Sequence, residues 1–176
     1  MNRLARYTLI TAVALAAAAA GYLVSHMQQV FPSDPAAAKQ LLALTLPDSD
    51  GNAQSLQQWQ GKILVVNFWA TWCPPCREEM PGFSRLQNKL SGNGVQFVGI
   101  GIDSADKIKE FSKLTPVSYP LLVASPGLMA LMGQLGNDAG GLPFTVIIGR
   151  DGRLEQTQLG IWREADLQAI LDKLTK

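Results

Sequence analysis

The sequence predicts an α/β fold, a mixed central sheet with helices on both faces. Three segments carry that expectation. "ILVVNFW", Ile63 to Trp69, is an unbroken run of apolar β-branched and aromatic residues, the pattern of a strand covered on both faces. "GVQFVGIGID", Gly94 to Asp103, is a second buried strand, separated from the first by a helical pattern, so the two form a parallel crossover. "FTVIIGRDGRLEQTQLG", Phe144 to Gly160, reads as an antiparallel hairpin that turns at Asp151-Gly152.

At 176 residues the chain holds one well-buried domain and is too short for two full ones. Fifteen basic against fourteen acidic residues leave a formal charge of +1, and no run of like charge breaks that balance. Nothing in it favours nucleic acid or a strongly acidic partner.

The average of 47% hydrophobic and 16% charged residues hides a split between the first 24 residues and the rest. Arg3 and Arg6 precede "YTLITAVALAAAAAGYLV", Tyr7 to Val24, and the first acidic residue is Asp34. Eighteen helical residues at ~1.5 Å each span about 27 Å, close to the roughly 30 Å hydrocarbon core. Residues 1–27 are therefore expected to be a signal anchor, a single transmembrane helix in the inner membrane. Tyr22-Leu23-Val24 prolong the apolar run as an anchor would; the alternatives are cleavage after the Ala18-x-Ala20 pattern that precedes Gly21, and an internal helix. With the arginines on the cytoplasmic side, the remainder lies in the periplasm, where disulfides persist.

Residues 28–40, with two prolines and no apolar period, read as a linker, and residues 41–176 as the folded domain. "LLALTLPDSDGNAQSLQQWQGK" gives two short strands around Asp50-Gly51 and a brief turn ending at Gly61. After the Ile63–Trp69 strand, a helix is expected from Pro74 to Leu90, kinked near Pro81, with Met80, Phe83, Leu86 and Leu90 inward. "SADKIKEFSKL" is a helix capped by Ser104, with Ile108, Phe111 and Leu114 inward. "YPLLVA" is a short strand and "PGLMALMGQLG" a helix closed by Gly136; Met129 and Met132 there suit core packing rather than soft metal ligation. "READLQAILDKL" closes the chain as an amphipathic helix.

Both cysteines of the chain, Cys73 and Cys76, lie in "VVNFWATWCPPCREEMP", directly after the central strand and at the start of a helix. A structural zinc site needs about four ligands, and His26 is the one histidine available. A purely structural disulfide across so small a loop removes little unfolded-chain entropy. A redox-active dithiol accounts for the spacing, the helix start and the export pattern together. At the helix start Cys73 faces unsatisfied N–H groups and the positive end of the dipole, which favour S⁻ and make it the nucleophile. Cys76, one turn in on the same face, is the resolving thiol. Pro74 and Pro75 remove N–H donors and stiffen the turn, and so alter the thiolate's hydrogen-bond supply.

The segment "VVNFWATWCPPCREEMP" resembles the active site of the thioredoxin superfamily, specifically its membrane-tethered TlpA/ResA-like (DsbE-like) thiol-disulfide oxidoreductases. The likeness runs from Leu41 to Lys176 and includes the added N-terminal β-hairpin, the inserted βα element after "FVGIGID", and "GGLPFTVIIGRDGR". It implies a thioredoxin fold, a cis-proline at Pro143 beside the cysteines, and a Leu142 backbone left free for an extended substrate segment. It also implies that Glu79, three positions after Cys76, accepts a proton; a solvated surface glutamate is the alternative. Asn67 stands where thioredoxins proper carry a buried aspartate, and it cannot titrate, which places more weight on Glu79. Trp72 is implied to cover the active-site surface and Trp69 to pack in the core.

The resemblance implies reduction of client-protein disulfides, such as those of apocytochrome c or of copper-site assembly factors, with no cofactor or metal. Electrons would come from a membrane thiol transporter of the CcdA/DsbD kind. A disulfide-forming oxidase is the alternative enzyme, but the chain lacks room for the large helical insertion of the DsbA-like branch. A copper carrier using both thiols is the alternative binding protein. In the family view Pro143 argues against it by shielding the pair from metal.

Overall fold

The computed structural model describes residues 35–176. Helix α1 (Pro35–Leu42) leads into the hairpin β1 (Thr45–Pro47) and β2 (Ala53–Ser55), then a 3-10 turn at Leu56–Trp59. There follow β3 (Ile63–Trp69), α2 (Pro74–Leu90), β4 (Val95–Gly101), α3 (Ala105–Leu114), β5 (Leu121–Val123), α4 (Leu128–Gln134), β6 (Phe144–Ile148), β7 (Leu154–Leu159) and α5 (Glu164–Leu174). The main sheet has the order β5-β4-β3-β6-β7. β3, β4 and β5 are parallel, while β6 runs antiparallel to both β3 and β7. This is the mixed sheet the sequence predicts, and the arrangement is a thioredoxin fold.

β3 sits at the centre because every one of its residues is buried. Its side chains alternate between two cores. Ile63, Val65 and Trp69 join Met80, Phe83 and Leu86 of α2 and Leu167 and Leu171 of α5. Leu64, Val66 and Phe68 join Leu41 of α1 and Leu128, Leu131 and Met132 of α4 on the other face. Gly99 of β4 makes the first core possible: a Cβ there would lie 2.7 Å from Leu121 Cδ2 and 3.1 Å from Trp69 Nε1. α2 continues through Pro81, with Met80, Phe83, Leu86 and Leu90 buried as expected.

Three expectations need correction. Residues 35–40, read as linker, are part of α1, and Ala37, Ala38 and Leu41 are buried against the second core. Pro35 at the first helical position and the spacing 37/38/41 are the signals. Leu114, expected inward, is 79% exposed, because it ends α3 one turn beyond the buried Phe111. Met129, expected in the core, is 49% exposed: Leu128, Leu131, Met132 and Leu135 form the buried stripe of α4 and Met129 lies off it. Ser104 occupies the N-cap of α3, but its side chain makes no capping bond.

Among the described residues no helix is long and apolar enough to cross a membrane. The expected anchor at residues 1–27 and the first part of the linker lie outside the described residues.

Candidate active site

The site forms where β3 ends. Ile102 donates its N–H to Trp69 O at 2.8 Å, and the Thr71 hydroxyl donates to Asp103, so the loop after β3 is tied to the loop after β4. Cys73 follows as the N-cap of α2, with Pro74 and Pro75 in the first turn, where missing N–H groups cost no helical bond. Cys73 and Cys76 form a disulfide with a Cα–Cα distance of 5.4 Å. Cys73 Sγ also accepts the Cys76 N–H at 3.3 Å, so the first sulfur lies at the helix's unsatisfied donors. Cys76 is fully buried, while Cys73 keeps 4% of its surface. Trp72 is 64% exposed beside it, and Trp69 is buried against Phe111 with ring centroids 4.8 Å apart.

The Leu142–Pro143 peptide is cis. Phe68 of β3 pairs with Phe144 of β6, so Pro143 lies at the sheet end from which the cysteine loop emerges. Leu142 packs against the cluster that contains both cysteines. Among the described residues, no hydrogen bond engages the Leu142 backbone, whereas Pro143 O accepts the Gly160 N–H at 2.8 Å.

Glu79 is buried on α2, in contrast to exposed Glu78, so the surface alternative falls away. Its position three residues after Cys76 places both on one helix face. Oε1 accepts from Asn67 Nδ2 at 2.8 Å, and Oε2 accepts the Trp162 N–H at 2.9 Å. Burial pushes the Glu79 carboxyl up to about 7, against the opposing pull of those two donors. A carboxyl at that value changes charge near neutral pH, the range that suits general acid–base chemistry. A pocket of about 240 Å³, lined by Glu79, Gly82, Arg85, Trp162 and Glu164 among others, opens behind it.

Two participants were not found in the sequence. Thr145 Oγ1 lies 3.0 Å from Asn67 Nδ2, and its signal was a polar residue inside the apolar run "FTVII". Trp162 acts through its backbone, which no residue pattern reveals. Among the described residues no group of three or more His, Cys, Asp and Glu side chains is placed to hold a metal ion.

Comparison with known proteins agrees with this geometry. The Redoxin family matches residues 35–171. Thiol-disulfide oxidoreductase ResA of Bacillus thuringiensis (strain Al Hakam) is 30% identical over 129 residues, covering 73% of this chain and 72% of the relative. The crystal structure of a thiol:disulfide interchange protein of the thioredoxin family from Chlorobium tepidum TLS superimposes with a TM-score of 0.69 at 30% identity, covering 76% of this chain and 93% of that one. The thioredoxin-related protein from Neisseria meningitidis serogroup B gives 0.67 at 37% identity, covering 73% and 97%. The chain thus belongs to the Redoxin family, as a TlpA/ResA-like (DsbE-like) thiol-disulfide oxidoreductase of the thioredoxin fold.

Proposed function

We propose that the protein reduces disulfides of client proteins outside the cytoplasm. The observation that carries the dithiol exchange is Glu79, a buried carboxyl one helical turn from Cys76 that burial pushes up to about 7. The reducing direction rests on the likeness of the Cys73-Pro74-Pro75-Cys76 segment to the reductase branch. The Cys73 thiolate attacks a client disulfide, giving a mixed disulfide and a client thiolate. Cys76 passes its proton to Glu79 and attacks Cys73 Sγ. The second client sulfur leaves as thiolate, so the client gains two electrons and the chain ends as the Cys73–Cys76 disulfide.

An extended client segment would pair with the free Leu142 backbone beside Pro143, against Trp72 and the Pro74-Pro75 turn. The chemistry suits the disulfide of a heme-binding C-x-x-C-H segment in apocytochrome c, or copper-site cysteines of an oxidase assembly factor. A membrane thiol-electron transporter of the CcdA/DsbD kind returns the dithiol to its reduced form. The apolar segment Tyr7–Val24 behind Arg3 and Arg6 supports placement at the inner membrane with the catalytic domain in the periplasm.

The test mixes reduced full chain with a disulfide-closed C-x-x-C-H peptide and follows both species by mass spectrometry. Conversion of the peptide to dithiol with matching oxidation of the chain is expected. A peptide that stays oxidised beside reduced chain overturns the proposal.

A further inference from the structure

Both oxygens of Glu79 face N–H donors, Asn67 Nδ2 on one side and the Trp162 amide on the other. That suits a carboxylate. A protonated carboxyl adds an O–H of its own and needs an acceptor, which a main-chain amide nitrogen cannot supply. Asn67 differs, because half a turn about its last side-chain bond puts Oδ1 where Nδ2 stands. Thr145 can follow, since a hydroxyl accepts from Nδ2 in one arrangement and donates to Oδ1 in the other. In the arrangement present, Asn67 Oδ1 is buried and unpartnered, as are Trp69 Nε1 and Tyr119 Oη on the same face of the sheet. Buried polar atoms without partners are uncommon; half a turn gives Oδ1 the two partners that Nδ2 now holds and leaves Nδ2 in the place of Oδ1.

We propose that Asn67, backed by Thr145, is a positioning residue that turns its carboxamide when Glu79 gains or loses a proton, so that the buried carboxyl keeps a partner in both states. Asparagine is suited to this because it holds a donor and an acceptor on one planar group. Aspartate would set a second negative charge beside Glu79, and leucine would offer nothing.

The titratable and charged groups around Glu79 are consistent with a turn near neutral pH. Cys76 lies one turn earlier on α2. Tyr119, ahead of β5, feels the Glu79 charge, but burial holds its hydroxyl far above neutrality. At the pocket stand Glu78, Arg163 and the Arg85–Glu164 ion pair. During exchange, the proton taken from Cys76 would sit on Oε1 and bond to Asn67 Oδ1. This catalytic consequence rests on Glu79 being the proton acceptor, but the rotation does not.

The test is NMR of the isotope-labelled full chain in its oxidised form across the Glu79 titration. Above the midpoint, the Asn67 side-chain amide protons should contact Thr145. Below it those contacts should vanish, with the same midpoint as the Glu79 carboxyl carbon. Contacts that persist unchanged on both sides overturn the proposal. Asn67→Leu should raise the Glu79 midpoint by about one unit, because the bond to the charged form is the stronger one. An unchanged midpoint in a folded variant also overturns it. If the amide turns but the chain fails to reduce the C-x-x-C-H peptide, the client proposal falls and this one stands.

Discussion

Trp162 donates its backbone N–H to Oε2 of Glu79 over 2.9 Å, which fixes the loop between β7 and α5 to a carboxyl on α2. The same loop holds Pro143, whose carbonyl accepts the Gly160 N–H at 2.8 Å. One short stretch, Gly160 to Trp162, therefore spaces the cis-proline from the buried Glu79 carboxyl, with the cysteine pair at the helix start nearby.

The buried carboxyl links stability to pH. The folded protein holds the Glu79 proton up to about 7 against an ordinary value of 4.5, so between those values it binds more protons than the unfolded chain. The sign follows: this contribution is fully present below 4.5 and is lost as pH rises through about 7. Its size is on the order of 3 kcal/mol. Urea unfolding of wild type and Glu79→Gln at pH 4.5 and pH 8 measures it. The wild-type minus variant difference should fall by that order toward pH 8.

Glu79→Gln should also slow resolution of a mixed disulfide by about 100-fold and abolish a rate inflection near pH 7, the usual scale for loss of a positioned base. Stopped-flow measurement of product release, with Cys73 preloaded by a chromogenic thiol, reads this step apart from the first attack.

The two cysteines should separate by their trapped products. Cys76→Ser leaves Cys73 able to attack but unable to be released, so a stable adduct with an added disulfide should accumulate. Cys73→Ser should form little adduct, because Cys76 is fully buried. Intact-mass spectrometry after exposure to glutathione disulfide distinguishes them.

Helix α1 should behave as part of the domain. Leu41 is fully buried in the second core, so Leu41→Ala should cost about 2–5 kcal/mol. Leu114→Ala, at a residue 79% exposed, should change stability by about 0.5 kcal/mol or less. Chemical denaturation of both variants checks this.

The central sheet was legible because β3 and β4 must be apolar on both faces, and such runs have few other uses. The cysteine pair was legible because its chemistry depends on the start of a helix, which a strand, a short loop and two prolines announce. α1 was not, since alanines bury as readily as they are exposed and the prolines nearby suggest a linker. The Glu79 network was half legible. The residue and its departure from aspartate at Asn67 could be read, but the partners come from β6 and from a main-chain amide across the fold, which no local pattern encodes. Met129 and Leu114 show the limit of helical spacing: one residue off the stripe, or at the last turn, the side chain reaches solvent.

The most direct measurement is the reduction potential of Cys73–Cys76 in the full chain, equilibrated against glutathione or dithiothreitol buffers. A value near or below thioredoxin's, about −270 mV, is expected of an electron donor to client disulfides. A value near about −120 mV, as in DsbA, would make the protein an oxidant and contradict the proposed direction.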